Sequence, residues 1–152
     1  MTLVFNQEQA AAIHAAAKGA VRGQIFVSPF VGRLDDIDLN GMDLISNILQ
    51  MYKFNDSKVQ VLTASTRSVD HIVEAIALGS DIITAPLSVL KEWVNAGLKM
   101  PDENFVYRPK NLQPIPYREI SLDTPWQEYN VIHELTDKGL EKFAADWNAL
   151  LS

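Results

Sequence analysis

The chain has 152 residues, a formal net charge of −6 and no cysteine. This length suits one domain with its own core, and the missing cysteines exclude disulfides and thiolate chemistry. An acidic chain without a dense basic cluster argues against binding to nucleic acid or to an anionic membrane. No apolar run approaches the roughly 20 residues of a membrane span, and the first residues lack the features of a signal peptide. We therefore expect a cytoplasmic protein.

The first half of the chain contains two predicted units in which a strand precedes a helix. Residues 2–5 form an apolar strand, and a helix over 7–18 follows, with Asn6 as its N-cap and Gly19 beyond its end. The second strand, 24–28, ends at Pro29 and leads through a loop into a helix over 42–52, which carries one apolar stripe.

Two further units follow. Strand 59–64 precedes a helix that Ser68 caps and that stops at Gly79, and strand 81–84 precedes a helix from Pro86 to about residue 95. Strands that alternate with helices of this length indicate a parallel sheet with right-handed connections and helices on its outside.

The composition changes over residues 100–130, which hold five of the seven prolines. We expect an irregular excursion over the surface here, within a single domain that spans residues 1–152. A last helix is predicted from a cap at Thr136 or Asp137 to about residue 151. Its apolar face consists of Leu140, Phe143, Trp147 and Leu150.

The loop that follows the second strand carries a glycine, an arginine and two carboxylates. In a parallel barrel the loops after the strands form the functional face, and the planar fork of Arg33 suits two phosphate oxygens. Arg33 could equally pair with Asp35 or Asp36 and do nothing more, and the loop alone leaves both interpretations open.

A second polar cluster lies where the third strand passes into its helix. Ser65 and Arg67 project to the same side if strand geometry persists, and the helix start beside them offers free backbone N–H groups to an anion. For Ser68 itself we favour a simple capping role.

Four segments of the chain resemble the transaldolase family, in order and at consistent spacing. The segment SPFVGRLDD at 28–36 is similar to the family's SPFVGR-[IL]-D motif, and VLTASTR at 61–67 to its V-L-A-A-S-[FY]-[RK] motif. The segment TLVFNQEQA at 2–10 resembles the opening of the fifth βα unit, and HELTDKG at 133–139 resembles the closing helix. Only residues 100–130 fall outside the resemblance.

This resemblance implies a parallel (β/α) barrel of the TIM type, of which the chain carries about the last four βα units. We therefore expect a half-barrel that a partner chain, either an N-terminal half or a second copy, completes. In the family, the positions that hold the substrate phosphate match Arg33, Ser65 and Arg67. Positions that line the active site match Thr2, Ser28 and Phe30. Phenylalanine at the last of these favours a transaldolase over an aldolase.

Transaldolases transfer dihydroxyacetone between sugar phosphates of the pentose phosphate pathway through a lysine Schiff base, without a cofactor. The family places this lysine on its fourth strand, whereas the resemblance here begins at the fifth. A Schiff-base lysine must be desolvated or lie beside another cation. The eight lysines present are predicted on helices, in loops or at the start of a strand: Lys18, Lys53, Lys58, Lys91, Lys99, Lys110, Lys138 and Lys142.

We therefore expect a chain that binds a sugar phosphate but is inactive alone. The alternative is a non-catalytic sugar-phosphate-binding or scaffolding half-barrel. The three histidines, His14, His71 and His133, show no metal-ligand spacing and are interpreted as surface or capping residues, so no metal site is expected.

Overall fold

A computed structural model describes residues 1–109 and 111–151, and Lys110, one of the eight lysines, lies outside them. The strands are β1 Phe26–Val27, β2 Gln60–Thr63 and β3 Ile82–Ile83, and a 3₁₀ turn spans Trp126–Glu128. The helices are α1 Gln7–Ala16, α2 Val31–Asp35, α3 Gly41–Phe54, α4 Val69–Leu78, α5 Leu87–Asn95 and α6 Glu134–Ala149.

The strands form one parallel sheet in the order β1-β2-β3. Phe26 is level with Gln60, and Leu62 is level with Ile82. Each neighbouring pair is linked through helices on the outside, as parallel pairing requires. The structure is therefore a parallel α/β sheet of the kind that a partial barrel presents.

The predicted strand over residues 2–5 is reduced to a single parallel bridge between Val4 and Pro29. The Val4 N–H donates to the Ser28 carbonyl at 3.3 Å, and the Phe30 N–H donates to the Val4 carbonyl at 3.2 Å. Leu3 has a φ of 58°, in the left-handed region that a strand cannot contain. The segment thus lies at the expected sheet edge but is not a regular strand.

The core lies between the sheet and α3. Val27 and Val61 of the strands are fully buried, and so are Leu44, Ile45 and Ile48 on the apolar stripe of α3. Burial of each such side chain contributes roughly 1.5–3 kcal/mol. This packing holds the carboxyl ends of β1 and β2 in place.

Most helix ends follow the capping chemistry of the sequence. The Asn6 side chain accepts the Gln9 N–H at 2.8 Å, the Ser68 hydroxyl accepts the His71 N–H at 3.2 Å, and Gly79 ends α4 with a φ of 80°.

The start of α6 differs from the prediction. The helix begins at Glu134, because the Nδ1 of His133 accepts the Leu135 N–H at 3.2 Å and serves as the cap. The predicted cap Thr136 instead donates its hydroxyl to the Leu3 carbonyl at 2.9 Å, which ties α6 to the edge of the sheet. The apolar residues predicted for this helix lie on its exposed surface: Leu140, Phe143, Trp147 and Leu150.

Residues between α5 and α6 run back across α1 and α3. The Asn40 N–H donates to the Gln113 carbonyl at 2.8 Å, and the Arg118 N–H donates to the Gln7 side chain at 2.9 Å. One backbone bond and one side-chain bond thus attach this segment to the start of α3 and to α1. Within residues 1–109 and 111–151, no helix has the length and apolar character that crossing a membrane requires.

Candidate functional site

Two of the polar segments meet where β1 and β2 end. The chain leaves β1 through Ser28 and enters α2, and there the Val31 N–H donates to the Ala64 carbonyl at 3.0 Å. The next amide, that of Gly32, donates to the Ser65 carbonyl at 3.1 Å. These bonds extend the parallel pairing of β1 with β2, so both predicted segments lie side by side at the carboxyl edge of the sheet.

Gly32 is required for this close approach. A Cβ at Gly32 would lie 2.4 Å from the Ser65 carbonyl oxygen and 2.5 Å from the Nε of Arg67. Both distances are far inside van der Waals contact. The Arg67 side chain therefore lies directly over the start of α2, and only glycine leaves space for it.

Arg67 is paired with Asp36. Its two terminal nitrogens donate to the two Asp36 oxygens at 2.5 and 2.6 Å, a bidentate arrangement. Both side chains are almost half exposed, so solvent screening limits this pair to about 1 kcal/mol or less. The Arg67 guanidinium thus already has the geometry to bind two oxygens of one anion. The Asp36 carboxylate that it binds here is held only weakly.

Arg33 has a different environment, and the local pairing considered for it is wrong. Asp36 pairs with Arg67, and Asp35 pairs with His71. Arg33 is exposed, and its guanidinium makes no ion pair with any residue in 1–109 or 111–151. It lines a small cavity of about 70 Å³ against α6. The other lining residues include Phe5, Phe30, Leu135, Lys138, Lys142 and Phe143.

The remaining predicted residues are spread around this corner. Ser65 follows β2 with a φ of 59° and is partly buried, whereas Ser28 is 9% exposed at the end of β1. Phe30 packs edge-to-face on Phe5 with ring centroids 6.2 Å apart. Thr2 is exposed and lines a separate apolar groove. The structure therefore places Ser65 and Arg67 beside the start of α2, whereas Arg33 lines a separate cavity against α6.

A buried pair behind Arg67 was missed by the sequence analysis. The Nε2 of His71 lies 3.2 Å from an Asp35 oxygen, and the Arg67 backbone N–H donates to the Nδ1 of His71 at 3.2 Å. His71 is buried, not a surface residue. Its position four residues after Arg67, in the first turn of α4, was the available signal.

The lysines in the described part of the chain are all exposed, and none resembles a desolvated nucleophile: Lys18, Lys53, Lys58, Lys91, Lys99, Lys138 and Lys142. Lys58 pairs with Asp56 at 2.8 Å, and Lys142 pairs with Asp146 at 2.8 Å. Across residues 1–109 and 111–151 there is also no group of three His, Asp or Glu side chains that could hold a metal. The chemistry that these residues offer is anion binding.

Polar and cationic groups at the carboxyl edge of a parallel α/β sheet are typical of barrel enzymes that bind anionic substrates. The family profile of Transaldolase/Fructose-6-phosphate aldolase matches residues 1–152. The chain belongs to this family, whose fold is the TIM barrel.

Curated relatives agree. A protein of Paracoccus denitrificans named "Probable transaldolase" is 40% identical over 147 residues, which is 97% of this chain and 48% of that protein. Proteins of the same name from Brucella ovis and Cereibacter sphaeroides are 37% identical, with the same coverage. The chain spans about half the length of the curated relatives it matches.

Proposed function

We propose that this chain forms the phosphate-binding part of a transaldolase-type active site. The observation that supports it best is the junction of α2 with the segment after β2, where Arg67 lies over Gly32 and Arg33 follows next in the chain.

The phosphate would take the place of the Asp36 carboxylate on Arg67. A dianionic phosphate offers more charge than a carboxylate, and the α4 N-terminus beside Arg67 adds a favourable dipole. The Ser65 hydroxyl and the unpaired Arg33 would provide further donors. Because both arginines are solvent-exposed, we expect a Kd on the order of millimolar for the chain alone.

For the whole enzyme we propose transfer of dihydroxyacetone between sugar phosphates through a lysine Schiff base. The lysine would come from the N-terminal half of the barrel, because the lysines described here are exposed and unsuited to it. Thr2, Ser28 and Phe30 would line that completed site. The partner that completes the barrel would be an N-terminal half or a second copy of this chain.

A second candidate is a non-catalytic module that binds a sugar phosphate or scaffolds an assembly. The exposure of the lysines favours it for the chain in isolation. The two candidates share the phosphate site and differ in whether an N-terminal half restores turnover.

Anion binding is tested by the melting temperature of the purified chain with fructose 6-phosphate, phosphate or fructose. We expect both phosphates, but not fructose, to raise it, and Arg33→Ala or Arg67→Ala to abolish the rise. Arg22→Ala is the matched control, because Arg22 pairs with Asp81 at the opposite end of the strands. An undiminished rise in both site variants would overturn the proposal.

Turnover is tested by adding the N-terminal half of a curated relative and assaying dihydroxyacetone transfer. Restored activity that depends on Arg67 supports the enzyme. Phosphate binding without restored activity supports the non-catalytic module.

A further inference from the structure

Two side chains and two backbone amides form a continuous chain of polar contacts beneath Arg67. The Arg67 backbone N–H donates to the Nδ1 of His71 at 3.2 Å, and the Nε2 of His71 lies 3.2 Å from one oxygen of Asp35. The other Asp35 oxygen accepts the Gly41 N–H at 3.0 Å. The chain thus connects α2, α3 and α4 to the backbone of Arg67.

The donors fix the tautomer of His71. A backbone N–H can only donate, so Nδ1 must carry its lone pair toward Arg67. The ring proton is then on Nε2, the nitrogen that lies 3.2 Å from an Asp35 oxygen. With the carboxylate beside Nε2, the imidazole keeps the tautomer in which its other nitrogen, Nδ1, accepts a hydrogen bond.

Burial protects this arrangement. The His71 and Asp35 side chains are 8% and 18% exposed, and the tilted Tyr107 ring packs against the imidazole with centroids 5.9 Å apart. Solvent and salt screen a buried polar contact much less than an exposed one. The buried contact is therefore a firmer anchor for this corner than the exposed Arg67–Asp36 pair.

His71 is not needed to cap α4, because Ser68 already does so: its hydroxyl accepts the His71 N–H at 3.2 Å. The imidazole is directed instead at the residue that precedes this cap. Its bond fixes the backbone from which the Arg67 side chain crosses Gly32.

We propose that Asp35 and His71 are positioning residues that hold Arg67 in its phosphate-binding orientation. This inference rests on the proposed function. His71 does not touch the substrate, because it is buried behind Arg67; it acts through the Arg67 backbone. Phosphate affinity should therefore depend on the Nδ1 acceptor of His71, whatever happens to overall stability.

Two conservative variants separate the bonds of the imidazole. His71→Asn places an amide oxygen where Nδ1 lies, which keeps the acceptor for Arg67 and loses the bond to Asp35. His71→Gln places an amide nitrogen where Nε2 lies, which keeps the bond to Asp35 and loses the acceptor. Phosphate affinity by ³¹P NMR and exchange of the Arg67 amide are measured on the purified chain.

We expect His71→Gln to weaken phosphate binding roughly fivefold, which corresponds to the loss of one net hydrogen bond. We also expect faster hydrogen exchange of the Arg67 amide in this variant. His71→Asn should bind phosphate within about twofold of the wild type. Both variants should melt lower, because each loses one buried bond. Circular dichroism confirms that each variant folds.

An equal loss of affinity in both variants, with equal exchange at Arg67, would overturn the positioning role. If the wild-type chain binds no phosphate, the proposed function fails instead, and amide exchange alone decides the positioning role. Faster exchange only in His71→Gln would then support it, and equal exchange would overturn it. Nitrogen NMR of the wild-type imidazole gives a separate check, because a proton on Nδ1 contradicts the inference.

Discussion

At the residue scale, the Asp36 carboxylate occupies the Arg67 fork that we assign to a phosphate. Asp36→Asn removes this competing anion and should raise phosphate affinity about two- to fivefold, in keeping with the small strength of exposed ion pairs. Titration followed by ³¹P NMR measures the change.

Asp38→Asn is the matched control for Asp36→Asn. It removes the same charge from the same loop, and asparagine tolerates the φ of 61° at this position. If both variants raise phosphate affinity equally, the effect is one of net charge, and Asp36 is not the competitor.

A second prediction concerns Gly32, the residue that Arg67 crosses. Gly32→Ala would place a methyl group 2.4 Å from the Ser65 carbonyl oxygen, which is backbone and cannot move independently. We expect a loss of about 1–3 kcal/mol in the free energy of unfolding, and loss of phosphate-dependent stabilisation. Urea denaturation with and without phosphate measures both effects.

Gly139→Ala serves as the comparison for Gly32→Ala. The atoms nearest to its added methyl group would belong to the Leu3 side chain, the first at 2.6 Å. It should therefore retain the phosphate effect. Intact phosphate binding in Gly32→Ala would show that Arg67 need not lie over α2.

The sequence indicated the residue-level site only in part. Strand ends and the family motifs were sufficient to bring Arg33, Ser65 and Arg67 to one edge of the sheet. They could not distinguish which arginine pairs with Asp36, because the aspartate is near Arg33 in sequence and near Arg67 only in the fold. The role of His71 depends on how α4 sits against α2, which no local pattern encodes.

At the scale of elements, the attachment of α6 depends on a histidine cap. His133 accepts the Leu135 N–H through Nδ1 and stacks on Phe5 with centroids 5.2 Å apart. Burial lowers the pKa of His133 below its ordinary value of 6.5, against the smaller opposing charges of Glu134 and Asp137. Protonation would destroy the acceptor that caps the helix.

The sign of the resulting pH effect follows from linkage. Between the lowered folded pKa and 6.5, the unfolded chain binds more protons than the folded chain, so stability rises with pH. The contribution is complete above pH 6.5 and is lost as the pH falls through the folded pKa. We expect a lower melting temperature at pH 5.5 than at pH 7.5.

His133→Asn isolates this contribution, because asparagine caps helices and does not titrate. It should reduce the pH dependence between 7.5 and 5.5. His14 also has a pKa lowered by burial and by the charge of Lys18, so some dependence should persist. An unchanged pH dependence in His133→Asn would contradict the assignment.

Elements with a strong local signal were predicted best. The caps Asn6 and Ser68 and the terminator Gly79 are where the sequence placed them, because capping is local chemistry. The predicted strand over residues 2–5 is longer than the pairing found in the structure, because a regular strand depends on neighbouring strands on both of its sides. The cap of α6 was predicted at Thr136 or Asp137 rather than at His133, which was interpreted only as a surface or capping residue, because histidine is a rare N-cap.

At the scale of the whole molecule, the placement of the seven lysines within residues 1–109 and 111–151 predicts that none of them forms a Schiff base. Incubation with fructose 6-phosphate and borohydride, followed by intact mass measurement, should show no adduct. Exposed lysines lack the desolvated environment that activates a Schiff-base lysine. A stable adduct on any of them would refute this placement argument.

The last prediction concerns association. An apolar groove of about 570 Å³ runs along the outer edge of the sheet, lined by residues that include Leu3, Val4, Ile13 and Trp126. On α6, Trp147 is 63% exposed and Leu150 is 80% exposed. Exposed apolar groups of this size and number indicate an interface, and full burial of a leucine contributes about 1.5–3 kcal/mol.

We therefore expect the purified chain to self-associate at micromolar concentration, or to form a one-to-one complex when an N-terminal half is added. Light scattering coupled to size exclusion measures the mass directly. Leu150→Lys, which places a charge at the C-terminal end of α6, should weaken any association through that end, whereas Lys142→Gln, about two turns earlier in the helix, should not. A clean 17.0 kDa species both with and without the N-terminal half would mean that the apolar edge and α6 need no partner.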